Sequence, residues 1–385
     1  MAKILVVDDE PDLEVLLRQK FRRKVRKGLL TLVFAHDGVE ALETLEKHDD
    51  VDMVLSDINM PRMDGLALLR HLSELDRDLM AVIVTAYGDM RNIRTAMNHG
   101  AFDFITKPID FGDLETTISR TLAHGAVMRE AVRSRDELVA LRRELGLAAR
   151  MQESILPTVF PSDPRLEIHA SMTPALEVGG DFYDFFPLEH GRMGVVMADV
   201  SGKGVPAALF MMVSRTLMKG TAIGESDPCK AVSEVNRMLV ESNEEAMFVT
   251  LFYSTFDPAT GRLAFANGGH NLPYIVKKDG SVEQIACDSG LVLAVVPDFD
   301  FPAGALELDP GDLVFFYTDG ITEAMDEEGE EFGEDALVRV LEATAGSDAA
   351  STSARVVEAV RAHAGEADQS DDITCLCLRY CGDGG

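Results

Sequence analysis

The sequence predicts two folded domains of different class. The chain has 385 residues, a length that suits about two domains. Over residues 1–120, short apolar strand-like runs alternate with helical runs, which predicts an α/β domain with a doubly wound, five-stranded parallel sheet. Over residues 158–380, strand-like runs follow one another and the helices are grouped, which predicts an α+β domain. Residues 121–157 are predicted to be a helical linker.

The first domain shows five short apolar runs, each followed by a segment with helical spacing. The runs are KILVVDD, LTLVFA, VDMVLSD, MAVIVTA and FDFITK. Such an alternation places helices on both faces of a parallel sheet. Sites in sheets of this kind form at the carboxyl ends of the strands.

The linker is predicted from its composition. From Ala126 to Ile155 there is no proline, a single glycine and many Arg, Glu, Leu and Ala residues, which favours one continuous helix. Leu138, Leu141, Leu145 and Ala148 follow the spacing of a coiled-coil seam, but the pattern decays upstream. Two interpretations stay open: a homodimer formed through this helix, and a helix that packs on its own domains. Prolines follow at positions 157, 161 and 164 and end the helix.

In the second domain, strand-like runs are joined by Gly and Asp turns. They are MGVVMADV, MFVTLFYSTFD, GRLAFANGGH, LPYIVKK, DLVFFYTDG and DITCLCLRY. Helices are predicted over PAALFMMVSRTLMKG, PCKAVSEVNRMLVESN and, near the end, DALVRVLEATA with TSARVVEAVRAHA. The Met residues of the first of these helices are interpreted as core packing.

Charge and composition exclude several classes of partner. A net charge of −30 argues against nucleic acid, which requires a basic surface. The basic cluster at 22–27 is interpreted as the solvated end of a helix. No apolar run reaches the ~18–20 residues of a membrane span, and the start MAKILVVDDE resembles a strand and not a signal peptide, so we expect a cytoplasmic location. The five cysteines form no disulfide framework, and Cys375 with Cys377 lack further zinc ligands nearby.

Acids, a hydroxyl and a lysine follow the strands of the first domain. Asp8 and Asp9 follow the first strand, Asp57 the third, Thr85 the fourth and Lys107 the fifth. Strand ends of a parallel sheet meet at one edge, so these side chains should converge. Clustered carboxylates repel one another, and Mg²⁺ suits an all-oxygen site that can also contact phosphate. One carboxylate could then accept a phosphoryl group.

This pattern resembles the receiver domains of two-component response regulators over all of residues 1–120. The resemblance implies that a sensor histidine kinase phosphorylates Asp57. It further implies Mg²⁺ ligation by Asp57, Asp9 and the backbone carbonyl of Asn59, with Asp8 close by. The remaining implied roles are the switch hydroxyl for Thr85, the reorienting aromatic for Phe104 and the phosphate partner for Lys107.

The second domain carries Asp residues at abrupt strand ends. They are Asp181 in EVGGDFYDFF, Asp199 in VVMADVSGKG, Asp319 in VFFYTDGITEA, and Asp371 with Asp372 in QSDDITCLCL. Singly, each suits a turn. Folded together, they would provide carboxylates for two hard divalent cations, which can activate a water for attack on phosphate.

Residues from about 150 to 380 resemble the SpoIIE/RsbU-like branch of the PPM (PP2C-type) phosphatases. The motifs that carry the resemblance are GGDFYDFF, ADVSGKGVPAAL, NGGHNLPY, FYTDGITEA and DDIT, in that order. It implies a β-sandwich flanked by helices and two Mn²⁺ or Mg²⁺ ions. Asp181 and Asp199 would bind or bridge them, with the Val200 carbonyl as a further ligand. Asp319 and Asp371 would complete the second metal, and Asp372 ranks below them because relatives often have Asn there.

Further residues of these motifs also have expected roles. Lys203, in a GKG loop, could contact substrate phosphate. His270 is interpreted as structural support before an acid, and Asp184 as a turn acid before a residue that supports the metal ligands. Ala294 departs from the resemblance, because many relatives place glycine there.

Together these features predict a response regulator whose receiver controls a metal-dependent protein serine/threonine phosphatase. By the resemblance, its substrate is a phosphorylated, STAS-type anti-sigma-factor antagonist. Two alternatives stay open: a phosphorylation-controlled partner-binding module without turnover, and a phosphatase that acts on its own signalling pathway. The sequence does not indicate whether phosphorylation activates or inhibits.

Overall fold

A computed structural model describes residues 1–75, 79–86, 89–288 and 290–382. The chain divides into two compact units, Met1–Leu141 and Arg142–Gly385, and each is described by itself. Among the described residues, no helix combines the length and the apolar character needed to span a bilayer.

The first unit is a five-stranded parallel sheet with helices between its strands. Its elements are β1 (Ala2–Val7), α1 (Pro11–Lys20), α2 (Arg22–Arg26), β2 (Leu30–Ala35), α3 (Gly38–Lys47), β3 (Met53–Asp57), α4 (Gly65–Glu74), β4 (Met80–Ala86), α5 (Met90–Asn98), β5 (Asp103–Lys107) and the start of α6 (Phe111–Ile155). The strand order is β2-β1-β3-β4-β5, and every pairing is parallel. The predicted α/β class is confirmed.

Alternating side chains build two cores, one on each face of this sheet. Leu5 and Val7 point into one core, and Ile4 and Val6 point into the other. Strands buried on both faces therefore appear in the sequence as continuous apolar runs. The segment after β1 forms two helices, α1 and α2, which are separated at Phe21, whose ring is buried.

Helix α6 spans Phe111–Ile155 as one element of 45 residues. It joins the last predicted helix of the first domain to the predicted linker without a break. The positions from Ala131 to Ala140 are almost all exposed, and buried positions return only near the C-terminal end, at Gln152. The long helix is thus continuous in its backbone, and its middle is exposed.

The second unit contains two five-stranded antiparallel sheets and the remaining helices. Its strands are β6 (Leu166–Thr173), β7 (Phe182–Pro187), β8 (Met193–Val200), β9 (Val249–Asp257), β10 (Arg262–Gly268), β11 (Tyr274–Val276), β12 (Val282–Gln284), β13 (Ala303–Glu307), β14 (Leu313–Tyr317) and β15 (Ile373–Tyr380). Its helices are α7 (Val205–Gly224), α8 (Pro228–Glu241), α9 (Asp319–Thr322), α10 (Glu334–Glu342) and α11 (Ala349–Ala364), with a 3₁₀ turn at Glu189–Gly191.

The two sheets pack face to face, as the predicted β-sandwich requires. Their orders are β13-β10-β9-β8-β7 and β12-β11-β14-β15-β6. Phe252 from the first sheet and Phe316 from the second meet in the shared core, with ring centroids 5.9 Å apart. Helices α7 and α8 cover the first sheet, and α10 and α11 cover the second. Strands β6, β7, β12 and β13 were not predicted, although the alternation in LEIHASMT is a strand signal.

Candidate functional site

The acids of the first unit converge at the carboxyl edge of the parallel sheet. Asp57 is the last residue of β3 and Asp8 directly follows β1, and both are buried. One carboxylate oxygen from each of Asp8, Asp9 and Asp57 lies within 4.8 Å of the others. Oxygen ligands at this spacing suit a hard divalent cation such as Mg²⁺.

Lys107 supplies the positive charge of this edge. Its Nζ lies 3.0 Å from Asp57 Oδ2, 3.2 Å from Asp8 Oδ2 and 3.3 Å from Glu10 Oε1. Burial acts to lower the pKa of Lys107, but the hydrogen bond and charge of Asp57, with those of Asp8, raise it above its usual value. Burial raises the pKa of Asp8, against the effect of the Glu10 backbone N–H and of Lys107. Lys107 is therefore a cation at the position where a phosphoryl group on Asp57 would need one.

The other predicted receiver residues surround this edge. Thr85 is buried in β4, and Asn59 is exposed in the loop after β3. Phe104 lies on the edge strand β5 with 38% of its surface exposed. Gly65 was not predicted: a Cβ there would lie 2.1 Å from the Asp57 carbonyl oxygen, so the close approach of α4 to the acid requires glycine. The signal for it was the Asp-Gly pair at 64–65.

The acids of the second unit come from both sheets of the sandwich. Asp181 precedes β7 and Asp199 lies near the end of β8, in one sheet. Asp319 follows β14 and Asp371 precedes β15, in the other sheet. Thr318 donates a hydrogen bond of 2.7 Å from Oγ1 to Asp181 Oδ2 and so joins the two halves.

The pKa values of Asp181, Asp199 and Asp319 are raised by burial and by the charges of neighbouring acids. Burial and repulsion from Asp199 and Asp372 raise the pKa of Asp181 well above its usual value. Burial and the charge of Asp319 raise the pKa of Asp199 to about 7. Burial and the charge of Asp371 raise the pKa of Asp319 as well. Carboxylates that repel each other in this way fit a site for divalent cations, which relieve the repulsion.

Asp371 and Asp372 are neighbours in sequence but serve different parts of the unit. Asp371 forms an ion pair with Lys203, whose Nζ lies 2.9 Å from Asp371 Oδ2. Asp372 is buried and accepts hydrogen bonds from three backbone N–H groups: Ala175 at 2.8 Å, Gly180 at 2.7 Å and Asp181 at 3.2 Å. Asp372 thus organises the loop before Asp181, a task that a carboxylate can perform without binding metal.

Two further predicted residues lie beside the acids. Lys203 also donates to the carbonyl oxygen of Ser370, so it holds the segment before β15. The Val200 carbonyl oxygen lies close to the loop that carries Asp181: a Cβ atom on Gly180 would be 2.8 Å from this oxygen. The glycine at position 180 is therefore needed for the approach of β8 to this loop.

His270 links the two sheets beneath the acids. Its Nδ1 is 2.8 Å from Thr250 Oγ1, and its Nε2 is 3.1 Å from the carbonyl oxygen of Tyr317. Its backbone N–H donates to Asn267 Oδ1 at 2.9 Å. Burial lowers the pKa of His270 to about 4, so the ring is neutral at physiological pH. The contacts of His270 are those of a residue that fixes the strand ends near Asp199 and Asp319.

Asp184 is not a turn acid, and that expectation was wrong. It lies within β7, is buried, and its Oδ2 is 2.8 Å from Arg215 Nη2 and 3.7 Å from Lys219 Nζ, both on α7. Burial raises the pKa of Asp184, whereas the charges of Arg215 and Lys219 lower it. The FYDFF segment is a strand buried on both faces, and the acid is tolerated because α7 supplies its counterions.

Sequence reasoning also missed Gln152, at the C-terminal end of α6. Its Nε2 donates to the Gly179 carbonyl oxygen at 2.6 Å, and its Oε1 accepts from the Gly179 N–H at 3.0 Å. Ala294, the departure from the family pattern, has φ 70°, a conformation that favours glycine. Asn236 and Asn243 hold its backbone N–H and carbonyl group by hydrogen bonds of 2.9 Å.

Comparison with known proteins assigns both units. The family model described as response regulator receiver domain matches residues 4–119, and the model described as stage II sporulation protein E (SpoIIE) matches residues 189–380. The chain is a receiver domain fused to a SpoIIE-family domain. The acidic edge around Asp57 therefore belongs to the receiver domain, and the acids from Asp199 onward lie within the matched SpoIIE segment.

Relatives of the SpoIIE-family domain include curated proteins and solved structures. Phosphoserine phosphatase RsbU of Bacillus subtilis is 29% identical over 220 residues, which cover 57% of this chain and 65% of RsbU. Protein IcfG of Synechocystis is 30% identical over 269 residues, which cover 62% of this chain and 41% of IcfG. The chain thus spans less than two thirds of either relative.

The SiaA-PP2C domain of Pseudomonas aeruginosa has the same fold as the second unit. It superposes with a TM-score of 0.57 at 23% identity, and the match covers 63% of this chain and 98% of that domain. The SpoIIE-family domain is thereby assigned a PP2C-like fold, in agreement with the predicted sandwich.

Proposed function

We propose that this chain is a response regulator in which phosphorylation of Asp57 controls a metal-dependent protein serine/threonine phosphatase. What supports the proposal is that Asp181, Asp199, Asp319 and Asp371 come from two sheets and lie near enough for their charges to raise the pKa values of Asp181, Asp199 and Asp319. Carboxylates that repel each other in a partly buried site reduce the stability of the fold. A function that requires bound cations at this site explains why they are present.

The residues proposed to hold two divalent cations are these four aspartates with the Val200 carbonyl. When bound, Mn²⁺ or Mg²⁺ ions supply the positive charge that activates water and stabilises a phosphate under attack. Other residues of the chain orient these aspartates: Thr318 fixes the Asp181 carboxylate, and Asp372 fixes the loop that carries Asp181. Lys203 adds a cation at the rim, where it can pair with Asp371 or with a substrate phosphate.

A protein substrate suits the surroundings of this site. A groove beside Lys203 is lined by Val205, Leu209, Phe210 and Met247, and Leu209 has 60% of its surface exposed. An apolar groove next to a phosphate-binding cation can accept the residues that flank a phosphoserine. The similarity to RsbU, a phosphoserine phosphatase, supports a phosphoserine substrate, and we propose a phosphorylated STAS-type anti-sigma-factor antagonist.

The receiver is proposed to take its phosphoryl group from a sensor histidine kinase and to bind Mg²⁺ through Asp8, Asp9, Asp57 and the Asn59 carbonyl. A carboxylate oxygen of Asp57 would attack the phosphorus atom of the kinase's phosphorylated histidine, which leaves as the phosphoryl group is transferred. Lys107 would then contact the transferred phosphoryl group, and the Thr85 hydroxyl would move toward it. With such a kinase and an antagonist substrate as partners, the proposed location is the cytoplasm. Control of the phosphatase is then a shift in the population of its active arrangement.

The proposal is tested by phosphate release from a synthetic phosphoserine peptide by the full chain, with and without beryllofluoride as the phosphoryl mimic. We expect Mn²⁺-dependent turnover that is lost in Asp199→Asn and that changes with the mimic. Binding of the peptide without turnover would instead identify a partner-binding module. Loss of radiolabel from phospho-Asp57 in the wild type, but not in Asp319→Asn, would identify a phosphatase that acts on its own pathway.

A further inference from the structure

A groove of about 980 Å³ lies between the first half of α7 and the turn that follows α8. From Val205 to Val213, α7 carries no charged side chain. Val205, Leu209 and Val213 line the groove and are 43%, 60% and 46% exposed. Side chains four residues apart share one face of a helix, so these three form an apolar stripe that is open to solvent. Exposed apolar surface of this kind marks a site of protein binding.

The second wall of the groove is acidic. It consists of Glu241 at the end of α8 and of Glu244 and Glu245 in the turn, and all three are exposed. In the part of the chain that the structure describes, no Lys or Arg forms an ion pair with Glu244 or Glu245. Two carboxylates without a counterion thus line the same groove as the apolar stripe, and a basic partner can supply the missing charge.

The turn that carries these acids has a fixed shape. Asn243 Nδ2 donates to the carbonyl oxygens of Met247 and Ala294 at 2.6 and 2.9 Å, and its Oδ1 accepts from the Met247 N–H at 3.0 Å. Next to the turn, Ser201 and Phe248 are joined by two hydrogen bonds of 2.9 Å, which tie the loop before α7 to the residue before β9. Because the turn is held in this way, binding need not order it, which lowers the cost of association.

Lys203 lines the same groove and connects it to the acidic site. Its Nζ lies 2.9 Å from Asp371 Oδ2, one of the proposed metal ligands. A phosphoserine held at this ammonium group would place its flanking residues in the groove. The net charge of −30 repels acidic segments in general. A segment with apolar and basic side chains fits both walls, because complementary charges then meet across the interface.

We propose that this groove docks the segment of the substrate protein that flanks its phosphoserine, and that this segment is apolar and basic. Its apolar side chains would pack on Val205, Leu209 and Val213, and a Lys or Arg would pair with each of Glu244 and Glu245. The inference rests on the proposed phosphatase function of the acidic site and adds the class of substrate that the site accepts. A phosphoserine alone does not distinguish one phosphoprotein from another, so the flanking residues determine the choice.

The test compares two fluorescein-labelled phosphoserine peptides by fluorescence anisotropy on the full chain. One peptide carries leucines and arginines on both sides of the phosphoserine, and the other carries leucines and glutamates. EDTA is present, so that metal-dependent hydrolysis does not consume them. We expect the arginine peptide to bind about tenfold more tightly than the glutamate peptide, because two pairs of opposite charge replace two pairs of like charge. Equal affinities of the two peptides would overturn the proposal.

A charge reversal locates this preference in the groove. The double variant Glu244→Lys/Glu245→Lys should weaken binding of the arginine peptide about tenfold and strengthen binding of the glutamate peptide. The matched control is Glu342→Lys/Glu358→Lys, which changes the net charge equally at exposed positions of α10 and α11, on the other sheet. It should change either affinity less than about twofold. Equal effects of the two double variants would show that the overall charge selects the peptide, and would refute a docking groove.

The apolar wall is tested by Leu209→Ser. Leu209 is largely exposed, so the variant should fold, and it should weaken both peptides about fivefold because an apolar contact is lost. Unchanged affinities in Leu209→Ser would contradict a role of the stripe. Sedimentation velocity of the wild type and of Leu209→Ser examines another occupant. A dimer of the wild type that Leu209→Ser abolishes would assign the stripe to a second copy of the chain and would overturn the proposal.

The proposed function is judged separately, by Mn²⁺-dependent phosphate release from the arginine peptide. In an active chain, Glu244→Lys/Glu245→Lys should raise KM about tenfold and leave kcat within about twofold, because the acids contact the flank and not the phosphate. A wild type that prefers the arginine peptide but releases no phosphate would contradict the phosphatase and support the groove as a docking site. An active wild type without preference between the peptides would refute the groove alone.

Discussion

The buried ion pair between β7 and α7 allows a quantitative prediction. Arg215 Nη2 is 2.8 Å from Asp184 Oδ2, and the two side chains are 10% and 2% exposed. The substitution Arg215→Met keeps an unbranched apolar side chain and removes the charge. It leaves the Asp184 carboxylate buried beside Lys219, whose Nζ is 3.7 Å from the same oxygen.

The expected loss follows from the burial of this pair. Removal of one partner of a buried pair typically costs about 3–5 kcal/mol of unfolding free energy. Lys219 is 39% exposed and therefore screened, so it replaces only part of the lost attraction, and Asp184 can also take up a proton. We predict that Arg215→Met destabilises the second unit by about 3 kcal/mol.

The assay is urea unfolding followed by tyrosine fluorescence. The chain has no tryptophan, and five of its six tyrosines (Tyr183, Tyr253, Tyr274, Tyr317 and Tyr380) lie in the second unit, so the signal reports mainly on that unit. The matched control is Arg237→Met on α8, where the pair with Glu234 is exposed on both sides and should contribute little to stability. A loss below about 1 kcal/mol for Arg215→Met, or equal losses in both variants, would refute the reasoning.

Three further predictions concern the same unit. Because burial and the charge of Asp319 raise the pKa of Asp199 to about 7, Mn²⁺ should bind about tenfold more weakly at pH 6 than at pH 8. Equal affinities at the two pH values, in a Mn²⁺ titration followed by electron paramagnetic resonance, would contradict this. Burial lowers the pKa of His270 from 6.5 to about 4, so unfolding takes up a proton between these values. Stability should then fall by about 2–3 kcal/mol as the pH drops from 6.5 to 4, and this part should vanish in His270→Gln; identical pH slopes in denaturant unfolding would count against it. Ala294→Gly should stabilise the unit by about 0.5 kcal/mol, because φ is 70° at this position. The control Ala343→Gly, at φ −71°, should destabilise the unit. In thermal unfolding the midpoint should therefore rise in the first variant and fall in the second.

The receiver site could be predicted from the sequence because its geometry follows from topology. Once five strands are known to be parallel, residues at their carboxyl ends meet at one edge, as Asp57 and Lys107 do. The contact of Glu10 with Lys107 could not be predicted in this way, because it depends on the path of a loop.

The second site could be located only through family motifs. Asp181 and Asp199 come from one sheet, and Asp319 and Asp371 from the other, so no spacing along the chain indicates their convergence. Asp184 was misinterpreted because an acid next to aromatic residues gives no sign of a counterion on a helix 31 residues later. Gln152 stands between Met151 and Glu153 in a polar helix, and only its tertiary contacts distinguish it.

The adjacent acids at the start of β15 make the site sensitive to chain length. Successive residues of an extended chain face opposite ways, so the Asp371 carboxylate meets Lys203 while that of Asp372 meets the backbone of Gly180. Loss or gain of a single residue just before Ile373 would reverse these two directions together. The acidic site would then lose the Asp371 carboxylate, and the loop before Asp181 would lose its hydrogen bonds to Asp372. Replacing either aspartate alone does not produce both defects.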